Sequence, residues 1–63
     1  MRLSKDKRYQ VTKFYVDENK PSENMGVYDG HDVRLIIGNA KYDAVFEMYF
    51  PASANYGFVV AEV

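Results

Sequence analysis

The stretch that most limits what this chain can become is Val33–Phe50, VRLIIGNAKYDAVFEMYF, in which Gly38-Asn39 separates two apolar runs. Glycine tolerates positive φ and asparagine follows it readily, so the pair predicts a two-residue hairpin turn. With Ile37 and Ala40 flanking that turn, Leu35 faces Tyr42, Val33 faces Ala44 and His31 faces Phe46, while Met48 and Phe50 join them on one side of a sheet. The other side sets Arg34 opposite Asp43, with Ile36 beside Lys41 and Asp32 beside Val45. One register thus pairs a cation with an anion and gathers the apolar residues, as a half-buried antiparallel pair should. The competing expectation is α+β, with a helix at about residues 40–50. Tyr42, Val45, Phe46 and Tyr49 recur at helical spacing, Asn39 is a capping residue and Pro51 a terminator. The aromatics and Val45 favour the strand, and only the strand gives Arg34 and Asp43 a reason to match.

Sixty-three residues read as one small β domain over 1–63, near the lower size at which a core holds a chain without disulfide, metal or partner. There is no cysteine, so disulfides and thiolate zinc sites are excluded. Six Tyr and four Phe compensate, because each large ring buries roughly 150–250 Å². A tyrosine packs its ring while its hydroxyl stays wet, which suits a core that doubles as a contact surface.

Residues 1–6 are polar and expected to fray. KRYQVTKFYV, Lys7–Val16, reads as the first strand, with Tyr9, Val11, Lys13 and Tyr15 on one face and Thr12, Phe14 and Val16 on the other. Neither face is cleanly polar, which suits a barrel or a partly covered second face better than an open flat sheet. A break follows over DENKPSENMG, and residues 17–30 read as a long acidic connection. Asp29-Gly30 is a second hairpin signal. PASANYG is a connection, and FVVAEV, Phe58–Val63, is a last strand that must lie inside the sheet, close a barrel or pair with another copy. The expected fold is all-β: four to five short antiparallel strands in a curled sheet or small SH3-like barrel.

YFPASANYGFVV resembles the closing segment of the SH3 domain, where a Pro, a small residue, an Asn and a Tyr form a short turn before the last strand. VYDG, Val27–Gly30, resembles that family's opening aromatic-acidic motif. The chain departs from the pattern in the longer spacing from Pro51 to Asn55 and Tyr56, in lacking the family's tryptophan pair, and in placing VYDG after a strand. What the resemblance implies is the size of the barrel and no function.

A net charge of −1 conceals an asymmetry: residues 1–16 carry +4, residues 17–32 carry −4 and the remainder −1. The amino-terminal MRLSKDKRYQ has no apolar run behind it and reads as no secretory signal. No stretch is long enough to span a bilayer, so the expected address is cytoplasmic, with no membrane partner.

The chemistry of an enzyme has few candidates. His31 is the only histidine, and the hairpin register makes it a partly buried strand residue facing Phe46. Asp29, His31 and Asp32 have metal-ligand types, but three ligands within four residues of a tight turn rarely converge. Asp17, Glu18 and Asn19 lack the spacing of a calcium loop. No glycine-rich phosphate loop and no apolar carboxylate pair is present, so neither an enzyme nor a cofactor or metal is expected.

Two binding expectations remain. The first is a protein-binding module, an inhibitor or adaptor, whose acidic, tyrosine-containing surface comprises Asp17, Glu18, Glu23, Met25, Tyr28, Asp29 and Asp32. A homodimer through an edge strand belongs to the same class. Chain length alone suggests a phage or other mobile-element accessory protein. The second, ranked lower, is a small barrel binding nucleic acid through Lys5, Lys7, Arg8, Tyr9 and Lys13, where cations and a ring interleave.

Overall fold

The computed structural model describes residues 3–17 and 19–63. Its elements are β1 (Arg8–Tyr15), β2 (Glu23–Asp29), α1 (Gly30–Ile37), β3 (Lys41–Asp43), β4 (Met48–Phe50) and β5 (Tyr56–Glu62). The five strands form one antiparallel sheet in the order β2-β1-β5-β4-β3. The all-β expectation of a curled sheet of short antiparallel strands therefore holds. The sheet is not closed into a barrel: β2 and β3 are its two edges. The last strand is the central one, pairing with β1 from Tyr9↔Glu62 to Tyr15↔Tyr56 and with β4 at Tyr49↔Phe58. Its apolar residues on both faces are explained by that position.

Directly paired residues share a face. Tyr9, Val11, Tyr49, Phe58 and Val60 thus line one side, where they meet Leu3 and the Val33 and Ile37 side chains of α1 in a buried core. The remaining part of that side is covered by aromatic packing. Lys13 Nζ lies 4.3 Å from the Tyr56 ring centroid, and Tyr56 packs edge-on against Phe58 at 5.5 Å.

The hairpin expected at Gly38-Asn39 does not form, and its first arm is helix. Asp29 caps α1, its Oδ1 accepting the Asp32 N–H at 2.8 Å, and Gly38 ends it at φ 57°, donating its N–H to the Arg34 carbonyl. Both glycine dipeptides taken for hairpin turns are helix ends: Asp29-Gly30 opens α1 and Gly38-Asn39 follows it. Val33 and Ile37, four apart, reach the core, whereas Leu35 is 70% exposed. His31 is likewise an exposed helix residue and faces no strand.

The hairpin in this region joins β3 to β4 through residues 44–47. Asp43 holds its turn, Oδ1 accepting the N–H groups of Val45 and Phe46 at 2.8 and 3.2 Å. The expected match of Arg34 with Asp43 is therefore replaced by a local Asx turn, and the alternative helix at 40–50 is absent. Tyr42 and Tyr49 pair across the ladder with ring centroids 5.0 Å apart.

Two further expectations change. The acidic connection is shorter than 17–30, because Glu23–Asp29 pairs with β1. Residues 3–6 are anchored rather than frayed: Leu3 is 9% exposed in the core, and the Ser4 carbonyl accepts N–H groups from Lys7 and Gly30. Gly30 permits this approach, since a Cβ there would collide with the Ser4 backbone.

Candidate functional site

The core and α1 occupy one side of the sheet. On the other side the pairing register places Gln10, Thr12 and Phe14 of β1, Gly57, Val59 and Ala61 of β5, Met48 and Phe50 of β4, and Val27 of β2. α1, the only helix among the described residues, lies opposite, and Phe14 and Val27 remain exposed. The same register adds Arg8, Asn24, Lys41 and Asp43 toward the edges, so the face has an apolar, open middle with a polar margin, the arrangement that marks contact surfaces rather than solvated ones.

A groove of about 370 Å³ runs along it, lined by Phe14, Tyr15, Val16, Phe46, Met48 and Phe50. That exceeds twice the about 150 Å³ that accommodates a benzene molecule in an engineered cavity. Gly57 positions two of the lining side chains. It lies directly opposite Phe14, and a Cβ there would stand 2.8 Å from Phe50 Cε1 and 3.0 Å from Met48 Cε. The missing side chain lets Phe50 and Met48 lie across β5, with Phe46 stacked edge-on against Phe50 at 5.9 Å. Beside the groove projects the 44–47 turn, with Val45 87% exposed and Glu47 held at φ 55°.

The rim carries both signs. Past its β1 end, on the core side of the sheet where Tyr15 pairs with Tyr56, the Tyr15 hydroxyl donates to Glu23 Oε1 at 3.0 Å and Lys20 Nζ stands 5.2 Å from the Tyr15 ring. Asp17 follows Val16, its Oδ1 accepting the Asn19 N–H. At the β3 margin Lys41 pairs with Phe50 and Asp43 with Met48.

The acidic set expected to bind a partner is divided. Asp17 follows the groove residue Val16, Glu23 lies on the core side opposite Lys13, and Glu18 lies outside the described residues. Asp29 and Asp32 are at the far end of β2, roughly 20 Å away at strand rise. Met25 and Tyr28 pack partly buried against the core, and the Tyr28 hydroxyl donates to the Met25 carbonyl. They are structural residues, not anchors free for a partner.

The basic set is dispersed too. Lys7 pairs with Glu62 at 3.3 Å, Arg8 sits opposite Asp29, Lys13 lies over the Tyr15 and Tyr56 rings and Lys5 is exposed. Tyr9 is 2% exposed, so its ring offers no face to a base. Of Asp29, His31 and Asp32 only Asp29 caps the helix, its carboxylate accepting the Asp32 backbone N–H, and no group of three or more potential metal ligands gathers among the described residues. Tyr49 has its pKa raised, chiefly by burial and then by the neighbouring Tyr42, with Arg34 opposing and Tyr9 adding to the rise.

The groove residues were missed as a site in the sequence. Their signal was present in β1, where Phe14 and Val16 make the second face apolar, and in β5, which is apolar on both sides. Comparison with family models, with curated proteins and with solved structures returned no match.

Proposed function

We propose that this chain is a small non-enzymatic protein-binding module, acting as an adaptor or inhibitor of the protein it holds through the open face of its sheet. The observation that carries this reading is the apolar groove walled by Phe14, Phe46, Met48 and Phe50. Phenylalanine, tyrosine and methionine are the residue types enriched in interface centres, and here they sit within a charged rim. The occupant is a folded protein surface that presents apolar side chains to Phe14, Phe46 and Phe50. Asp17 and Asp43 serve as rim, Met25, Tyr28 and Asp29 hold the fold, and the Glu23 and Asp32 carboxylates lie away from the groove.

Nucleic acid fits this face less well. The groove is apolar, and the acids beside it repel phosphate. The basic first strand has its nearest ring buried and Lys7 already paired.

Capture on the immobilised chain tests the reading, with Phe46→Ser/Val45→Ser as the face variant and Leu35→Ser as the control on the far side. A polypeptide that rebinds when purified, weakens about tenfold or more with the face variant and ignores the control supports it. If no polypeptide, this chain included, distinguishes the two variants, or if the chain instead binds DNA or RNA with steep salt dependence, the reading fails.

A further inference from the structure

We infer that the protein seated on the open sheet face is a second copy of this chain, joined face to face in a two-fold dimer. The inference rests on the reading of that face as a protein contact and names its occupant.

Size is the first argument. The extents of 35 and 20 Å limit the footprint of a face to about 700 Å², so a face-to-face pair buries at most about 1,400 Å² in total, enough to reach the standard range of about 1,200–2,000 Å². The accessible surface of 4,653 Å² also exceeds the about 4,200 Å² usual for a compact 7.3 kDa monomer. A 63-residue chain without cysteine gains from a partner that supplies the missing layer of a sandwich, with sheets about 10 Å apart.

Shape and charge are the second. A two-fold contact requires one patch to complement itself. The groove and the projecting Val45 lie side by side, so a two-fold axis between them seats each copy's turn in the other's groove. The centre of the face, Thr12, Phe14, Met48, Phe50, Gly57 and Val59, is uncharged. At its margin Lys41 stands with Asp43 and Glu47, and Arg8 lies at the other end of β1, a mixture of signs that suits self-contact rather than a partner of one charge.

The sheet edges are poor alternatives. β3 has three residues, two of them charged, and β2 carries a register shift next to Gly26 at φ 109° with acids at both ends. Short, charged or bulged edges resist strand addition. The dimer anticipated through an edge strand therefore moves to the face.

Sedimentation equilibrium of the full chain from about 1 µM to about 1 mM tests this, read beside circular dichroism. The expected weight-average mass rises with concentration across this range from the 7.3 kDa of the single chain toward twice that value. Val45→Asp should raise the dimer dissociation constant ~30-fold or more while leaving the fold intact, and Leu35→Asp should leave association unchanged. As a check that needs no variant, a mixture of labelled and unlabelled wild-type chain should show intermolecular proximity between Val45 methyls and the Met48 and Phe50 side chains. A monomer throughout the range, a dimer indifferent to Val45→Asp, or intermolecular contacts confined to β2 or β3 would each overturn the inference. A monomer whose face still captures another protein leaves the module reading standing.

Discussion

Phe14 and Gly57 face each other across the β1–β5 ladder, one the most prominent ring of the open sheet face and the other a residue with no side chain at all. The pairing leaves one flank of Phe14 open and lets Phe50 and Met48 descend over β5. That one glycine thereby sets where two of the groove's lining side chains lie.

Gly57→Ala should therefore push the Phe50 ring and the Met48 methyl outward. The expected cost is ~1–3 kcal/mol of stability, typical of an extra methyl forced into a packed site. Denaturant unfolding reads the stability. Partner binding should fall with this change and with Phe46→Ser alike, and the stability cost separates them, because Phe46→Ser removes a groove wall without crowding β5.

The two ends of α1 can be told apart by mechanism. Asp29→Ala removes a side-chain acceptor from the Asp32 N–H and should cost about 1 kcal/mol. Gly30→Ala drives a methyl into the Ser4 backbone and should cost more, ~2–3 kcal/mol, because Ser4 must retreat and Leu3 leaves the core with it. Equal costs for the two changes, measured by chemical denaturation, would contradict the anchoring of residues 3–6 through Gly30.

These caps also explain where reading the sequence succeeded and failed. β1 was legible from its alternating aromatic and β-branched residues, and the interior position of β5 from apolar side chains on both faces. α1 was not, since Asp-Gly and Gly-Asn serve as hairpin turns and as helix ends alike. VRLII is β-branched enough to pass for a strand, and only the buried placement of Val33 and Ile37 with Leu35 outside reveals the helix. Local propensity here yielded to tertiary packing. The groove was half visible: Phe14 and Val16 advertised a second apolar face, but Gly57 gains meaning only from pairing with a strand more than forty residues earlier.

Asp43 and Glu47 govern the β3–β4 turn in opposite senses. Asp43→Ala loses the acceptor for two backbone N–H groups and should destabilise the hairpin by about 1 kcal/mol. Glu47→Gly relieves a positive φ and should be neutral or slightly stabilising, whereas Glu47→Val should be unfavourable. Thermal unfolding of the three variants checks the order.

Alkaline pH should weaken the fold through Tyr49. Its folded pKa lies above the ordinary value of 10.0, so the folded state holds the phenolic proton more tightly than the unfolded chain does. The stability linked to Tyr49 is complete below pH about 10 and declines as the pH rises through the folded pKa. Tyr49→Phe should flatten that part of the stability curve relative to the wild type. An identical decline in the variant would show that Tyr49 does not contribute to it.

The central claim is that the face bearing Phe14, Gly57 and Phe50 is where this chain meets a protein, and that the protein is its own second copy. Methyl NMR of the wild-type chain in a dilution series tests it most directly. The account predicts concentration-dependent shifts at Val45, Met48 and Val59, with none at Val33 in the core or Leu35 on the outer side of α1. Shifts centred on Leu35, or none at any methyl up to about 1 mM, would contradict it.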